Sequence, residues 1–302
     1  MASSAWSQID SNKRKTWFLM IGFSVFVFIV AYVFSIALGF ESFGAFSIVG
    51  IILLVSGCIN LASYYWSDKI VLSLSGAKEI SESENKELYR LVENLCIASG
   101  LSKPKIYIIN DPAPNAFATG RDPQHGVVVF TTGILERLDK LELEGVAAHE
   151  LSHIKNYDTR LMSVVVILVG LVALLADIFI RSLWFGGNRR REGGGNGVFL
   201  IIGLVAAIIA PIAANLIKLA VSRQREFLAD SSGAVLTRNP SSLADALIKI
   251  ASNPNELKTA NNATAHMYIE NPFKGEKAKS WFTSLFTTHP PIEERVKVLR
   301  GM

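Results

Sequence analysis

Four apolar stretches, Trp17–Leu38, Phe43–Trp66, Leu161–Ile180 and Gly197–Ile217, constrain this chain more than anything else in it. Each has about the 20 residues that carry a helix across the hydrocarbon core of a bilayer. Lipid offers backbone N–H and C=O groups no partner, so such stretches are expected as helices. The third holds one charge, Asp177, and the fourth is interrupted by Pro211. A charge inside a span is costly, so a hairpin packed on the rest of the protein is the alternative for that pair. The first stretch follows Lys13, Arg14 and Lys15, as a signal peptide would. Its apolar run exceeds the about 7–15 residues of a signal core, and a second stretch follows at once, so it reads as a retained anchor.

The rest of the composition excludes more than it proposes. Half of the 302 residues are hydrophobic, which the four stretches explain. The two cysteines, Cys58 and Cys96, form no framework and no C-x-x-C pair. The formal charge of +4 comes largely from Lys and Arg beside the apolar stretches. Nothing interleaves basic and aromatic residues as a nucleic-acid surface would, so no nucleic-acid partner is expected.

The expected fold class is mainly α, α+β, with about four membrane helices and a small β-sheet. Residues 1–66 form a tail and two spans, 67–160 and 218–302 two polar blocks, and 161–217 the second pair of spans. In the first block, Glu84–Gly100 reads as an amphipathic helix through Leu88, Leu91, Val92, Leu95 and Cys96, closed by Gly100. Lys105–Asn110 reads as a strand, followed by the turn Asp111-Pro112-Ala113-Pro114. Asn115–Thr119 and Gly126–Thr131 read as two short strands around a turn. The second block opens with a helix through Arg225 and Asp230, and two more are expected near Ser241–Ala251 and Pro291–Leu299. Gly186–Gly197, rich in Gly and Arg, reads as a loop.

The chemistry is concentrated in Ala148-His149-Glu150-Leu151-Ser152-His153. On a helix, His149 and His153 stand one turn apart on one face and can grip one tetrahedral Zn²⁺. Glu150 then lies beside the water that such a metal activates, where its carboxylate can act as general base. Leu143, Val146, Ala147 and Leu151 supply a helical apolar face, with Gly145 its one weak spot. Catalytic zinc commonly takes three protein ligands, and Glu226 in Arg225-Glu226-Phe227-Leu228-Ala229-Asp230 is the best third. Asp230, four residues on, shares its face and would fix the tautomer of a liganding histidine. Asp158 and Glu142 compete less well, Asp158 because it is expected on the same helix as both histidines. His125 and His266 have no partner by spacing.

These motifs resemble the HtpX family of membrane-bound zinc endopeptidases, of the gluzincin clan and related to the CAAX prenyl proteases. The resemblance covers nearly the whole chain. It rests on Pro114-Asn115-Ala116-Phe117-Ala118-Thr119-Gly120, His149-Glu150-Leu151-Ser152-His153, Arg225-Glu226-Phe227-Leu228-Ala229-Asp230 and Thr288-His289-Pro290-Pro291. It implies one Zn²⁺ per subunit held by His149, His153 and Glu226, with Glu150 as general base. It also implies a quality-control role on misfolded or damaged membrane proteins and other unfolded polypeptides, with the lipid bilayer as partner. The Arg-rich Gly186–Gly197 loop departs from the family pattern.

Further roles follow from chemistry. His289 is a possible donor to the oxyanion; the competing role is to fix its Thr-His-Pro-Pro turn. With the resemblance, Asn115, Ala116 and Phe117 would form the lip of the cleft, an extended substrate adding to that edge as a strand; the residues alone favour a plain hairpin strand. The alternatives are a prenyl-protein CAAX protease and a non-catalytic four-span membrane binding protein. Two spans between the histidine and Glu226 blocks put both on one side of the membrane. Lys13, Arg14, Lys15, Lys69, Lys155, Arg160, Lys218, Arg223 and Arg225 then flank one face, against Arg181, Arg189, Arg190 and Arg191 on the other. That asymmetry places the active site on the cytoplasmic side of the cell inner membrane.

Overall fold

The computed structural model describes residues 5–37, 42–170, 223–260, 264–274 and 289–302. Two long helices, α1 (Ala5–Ala37) and α2 (Ser42–Ser75), pack against each other. α2 bends at Trp66, whose φ of −121° and ψ of 15° break the helical run. The second apolar stretch ends at that residue. Arg121 Nη1 donates to the Tyr65 carbonyl at 3.3 Å, beside the bend. Past it α2 continues to Ser75 and buries Val71 and Leu72 in the polar part of the molecule.

Among the described residues no helix is long and apolar enough to cross a membrane. The described side chains of α1 end at Phe28, and those of α2 are described only in part before Gly57. Of the third apolar stretch the description reaches residue 170. The fourth stretch and the Gly186–Gly197 loop lie outside the described residues.

A four-stranded sheet runs β1 (Lys78–Glu79), β2 (Lys105–Ile109), β3 (Ala116–Thr119) and β4 (Val127–Thr131) in the spatial order β1-β2-β4-β3. β2 and β4 are parallel; the other pairs are antiparallel. Side chains alternate across it. Ile106, Ala116, Ala118, Val128 and Phe130 face one core, and Ile109, Phe117, Val127 and Val129 the other. Both faces are therefore covered, which is why β3 and β4 are apolar at nearly every position. The strands and the β3–β4 pairing follow the sequence pattern. The two-residue β1 is too short to leave one.

The remaining helices are α3 (Lys86–Ser99), α4 (Thr132–Arg137), α5 (Lys140–Lys155), α6 (158–170), α7 (Arg223–Thr237), α8 (Pro240–Ala251) and α9 (Ile292–Arg300). Gly100 ends α3 with a left-handed φ of 69°. Asp139 and Glu142 form a capping box at the start of α5. Glu142 also holds Lys249 at 2.6 Å, so this carboxylate closes the helix end and is spent there.

α5 is the central helix, packed on α3, α7, α8 and β3. Glycines bring two of those neighbours close. A β-carbon at Gly145 would stand 3.1 Å from Leu243 of α8, and one at Gly233 of α7 would stand 3.1 Å from the His149 nitrogen. Gly145, a weak spot by helix propensity, thus sits where a side chain would crowd Leu243. Gly233→Val should push α7 off α5, costing about 1–3 kcal/mol by overpacking. Thermal unfolding of the purified protein should show a lower midpoint, together with weaker metal retention. Wild-type values for both would mean that the seam has slack.

Candidate metal centre and active site

α5 carries His149, Glu150 and His153 into the core, where they are 1%, 2% and 5% exposed. The one-turn spacing does what the sequence pattern requires. The two Nε2 atoms face each other at 3.1 Å, with the rings nearly perpendicular at 87°. α7 brings Glu226 opposite them. Its Oε1 is 3.5 Å from His153 Nε2, and its Oε2 is 3.9 Å from His149 Nε2. The three ligand atoms lie within 4.8 Å of one another.

This cluster fits a divalent metal on its own chemistry. Glu226 is fully buried, yet neither of its oxygens accepts a well-aligned hydrogen bond. A buried carboxylate in that condition is expensive unless a cation meets it. The outward nitrogens are already engaged by carboxylates. His149 Nδ1 lies 2.9 Å from Asp230 Oδ1, although off the line of a good hydrogen bond. His153 Nδ1 lies 2.9 Å from Asp158 Oδ2. Each contact turns the Nε2 lone pair inward, as a liganding imidazole needs.

Asp230 stands where the four-residue spacing put it. Asp158 is a correction. It does not continue the helix of the two histidines, because α5 stops at Lys155 and Tyr157 takes a left-handed φ of 58°. That turn starts α6 and swings Asp158 back onto His153. Spacing on one continuous helix could not reveal it, since an αL tyrosine is costly and leaves no local signature.

Arg295 of α9 is a second residue that the sequence concealed. Its Nε and Nη2 grip both oxygens of Asp230 at 2.8 and 2.7 Å, and its Nη1 donates to the Ile269 carbonyl at 3.1 Å. It is fully buried. Arg225, counted among the membrane-flanking charges, is also buried, with its Nε 3.4 Å from Asp158 Oδ1.

His289 reaches the site. Its Nδ1 is 3.0 Å from Glu226 Oε2, and its Nε2 lies 3.2 Å from the His266 carbonyl. Both ring nitrogens therefore face protein groups outside the Thr-His-Pro-Pro turn. Asn115, Ala116 and Phe117 sit together at the free edge of β3, and the chain's own residues cover that edge. Ile269 donates its N–H to the Ala116 carbonyl at 2.9 Å, Asn115 Nδ2 donates to the Glu270 carbonyl at 3.0 Å, and Tyr268 meets the Phe117 ring edge-on. His266 is buried in the same segment, whereas His125 is bound at the surface by Asp122 and Arg121.

The electrostatics follow from burial and neighbours. Burial pushes the Glu150 carboxyl up to about 7. Burial also lowers His149. At His153 burial acts in the same direction, but Asp158 and Glu226 overcome it and lift the imidazole to about 9. Burial opposes the charge of Asp230, yet Arg295 holds it at about 2. Glu226 lies well below the usual carboxylate range, because His289 and His153 outweigh its burial.

A metal ligand must be the neutral imidazole, so the proton on His153 competes with the metal. Because its pKa without metal is raised, metal affinity should fall as pH drops below about 9. Chelator competition across pH 6–9.5, roughly the range of a histidine lifted in this way, tests the sign; a flat profile would contradict it. Asp230→Ala and Asp158→Ala should each weaken the metal about 10–100-fold. Glu142→Ala should leave affinity unchanged.

The family model described as Peptidase family M48 matches residues 82–302. The Protease HtpX homolog of Dictyoglomus thermophilum is 48% identical over 97% of this chain and 93% of its own length. The Protease HtpX homolog of Caldanaerobacter subterraneus is 45% identical over 96% of this chain and 95% of its own. The crystal structure of S. mikatae Ste24p aligns with a TM-score of 0.48 and 17% identity, over 98% of this chain and 66% of that one. The family match takes in α5, α7 and α9, the three helices that build the centre, and the relatives match nearly end to end. This chain belongs to peptidase family M48.

Proposed function

We propose that the chain is a membrane-anchored zinc endopeptidase that cleaves misfolded or damaged membrane proteins and other unfolded polypeptides. The observation that carries the reading is the convergence of His149, His153 and Glu226 around one point, with the Glu226 oxygens short of donors and Glu150 on the same helix turn. Two imidazoles and a carboxylate are the ligand set of a catalytic zinc, which leaves a position for water. The ion, when bound, supplies a Lewis acid for the scissile carbonyl and lowers the pKa of a water.

The chain's own groups do the rest. Burial lifts the Glu150 carboxyl to about 7, so its carboxylate can take a proton from water and return it to the departing amine. Asp230 and Asp158 keep the two imidazoles turned to the ion, and Arg295 keeps Asp230 ionised. An extended substrate would pair with β3 along Asn115, Ala116 and Phe117. To do so it must take the place that Ile269 and Glu270 hold against that edge.

The membrane reading rests on α1 and α2. Trp17, Phe18, Ile21 and Val25 of α1 and Leu54 and Leu61 of α2 are exposed, Phe18 by 73%. Apolar surface of that extent on a helix pair calls for a lipid or protein cover. Where the apolar surface ends, cations sit on aromatic rings: Arg160 over Tyr64, Arg121 over Tyr65, Lys13 over Tyr157. Such mixed belts mark the headgroup level of a bilayer.

Glu150→Gln should retain metal and lose peptide hydrolysis, because the amide cannot accept the proton yet leaves both imidazoles in place. Metal analysis beside a casein-cleavage assay decides this; retained hydrolysis would remove Glu150 as the base. For topology, single cysteines at Ser81 and Asn188, in a background lacking Cys58 and Cys96, are probed with an impermeant thiol reagent on intact cells. Position 81 should be protected and position 188 labelled. Labelling at 81 would overturn the cytoplasmic assignment.

A further inference from the structure

The first helix reaches the metal centre through a residue five positions before its apolar run. Asn12 of α1 is completely buried. Its Nδ2 donates to Asp158 Oδ1 at 2.7 Å and to the Asn156 carbonyl at 2.9 Å. Its Oδ1 accepts from Arg225 Nη1 at 3.0 Å. Only one orientation of the amide satisfies all three contacts, since a carboxylate and a carbonyl accept and a guanidinium donates. An aspartate here would set two carboxylates against each other, and an apolar residue would leave buried groups unpaired.

Asp158 is the carboxylate that holds His153. One of its oxygens faces the imidazole, and the other takes Asn12 at 2.7 Å and Arg225 at 3.4 Å. Asn12 also holds the turn that delivers Asp158, through the carbonyl of Asn156, the residue before the left-handed Tyr157. The Tyr157 ring is clasped by Lys13 of the same helix at 4.4 Å and by Arg160 at 4.8 Å. Thr16 Oγ1 donates to the Asn12 carbonyl one turn back, at 2.9 Å, within the same helix.

We propose that Asn12 is a positioning residue for the metal centre: through Asp158 it fixes the His153 imidazole, so the seating of the membrane-proximal helix α1 sets how tightly the metal is held. The inference rests on the metal site proposed above. It makes α1 part of the active-site framework as well as an anchor.

The test uses the full-length chain in detergent with Glu150→Gln as parent, which should not cut itself. Zinc affinity is measured by competition with a chromophoric chelator. The visible spectrum of the Co²⁺-loaded protein reports ligand geometry, and melting temperature reports stability. Asn12→Leu, close in volume, should weaken zinc about tenfold, the lower end of the effect of groups outside the ligand shell. It should also shift the Co²⁺ bands. Asp158→Ala should weaken zinc more, and adding Asn12→Leu to it should bring no further loss, because the two act through one chain of contacts.

Unchanged affinity and an unchanged Co²⁺ spectrum in Asn12→Leu, whatever its melting temperature, would overturn the inference. So would full additivity with Asp158→Ala. Should Asn12→Leu not fold, Asn12→Ala, which adds no bulk, decides by the same readings. A parent that takes up no stoichiometric metal overturns the metal reading itself, and this inference with it. A parent that binds metal, with variants indistinguishable from it, overturns this inference alone.

Discussion

The confrontation of two imidazole nitrogens and a carboxylate inside a buried core is the constraint on which the rest of this structure depends. His149 and His153 bring their Nε2 atoms to 3.1 Å, and Glu226 joins them, with His289 Nδ1 3.0 Å from its Oε2 but no well-aligned hydrogen bond. Without a cation such a cluster is unfavourable, so the surrounding fold must hold it in place. It does so in layers. Asp230 and Asp158 take the outer nitrogens, Arg295 and Arg225 face those carboxylates, and tight glycine contacts lock α7 and α8 onto α5. The charges alternate in sign outward from the centre, so that few buried charges are left without an opposite neighbour.

Much of this could be read from the sequence wherever the signal is local. The four-residue spacing of the histidines, that of Glu226 and Asp230, the period-two strands and the Gly100 stop all act over a few residues, and each stands where its pattern implies. What stays hidden shares a cause. Asp158 is not among the three converging ligands, as expected, but the helix of the histidines ends before it, and the left-handed Tyr157 brings it back to His153. Arg295 lies 65 residues from Asp230 and Asn12 lies 146 from Asp158, so no periodicity connects them. Arg225 looked like a headgroup charge because Lys and Arg next to apolar runs usually are.

The covered β3 edge adds a conformational element. The strand offered by Asn115, Ala116 and Phe117 is paired with the segment around Ile269, and the same segment is tied to Arg295 and to His289. An extended substrate adding to this edge, as proposed, would compete with a segment that also meets Arg295 and His289.

The central claim is that His149, His153 and Glu226 hold a single zinc ion. X-ray absorption at the zinc edge of the purified full-length protein tests it most directly. The account predicts one zinc per chain with only nitrogen and oxygen neighbours at about 2.0–2.2 Å and an imidazole scattering pattern from two rings. Sulfur at about 2.3 Å, or a spectrum unchanged when His149 and His153 are both replaced by Ala, would contradict it.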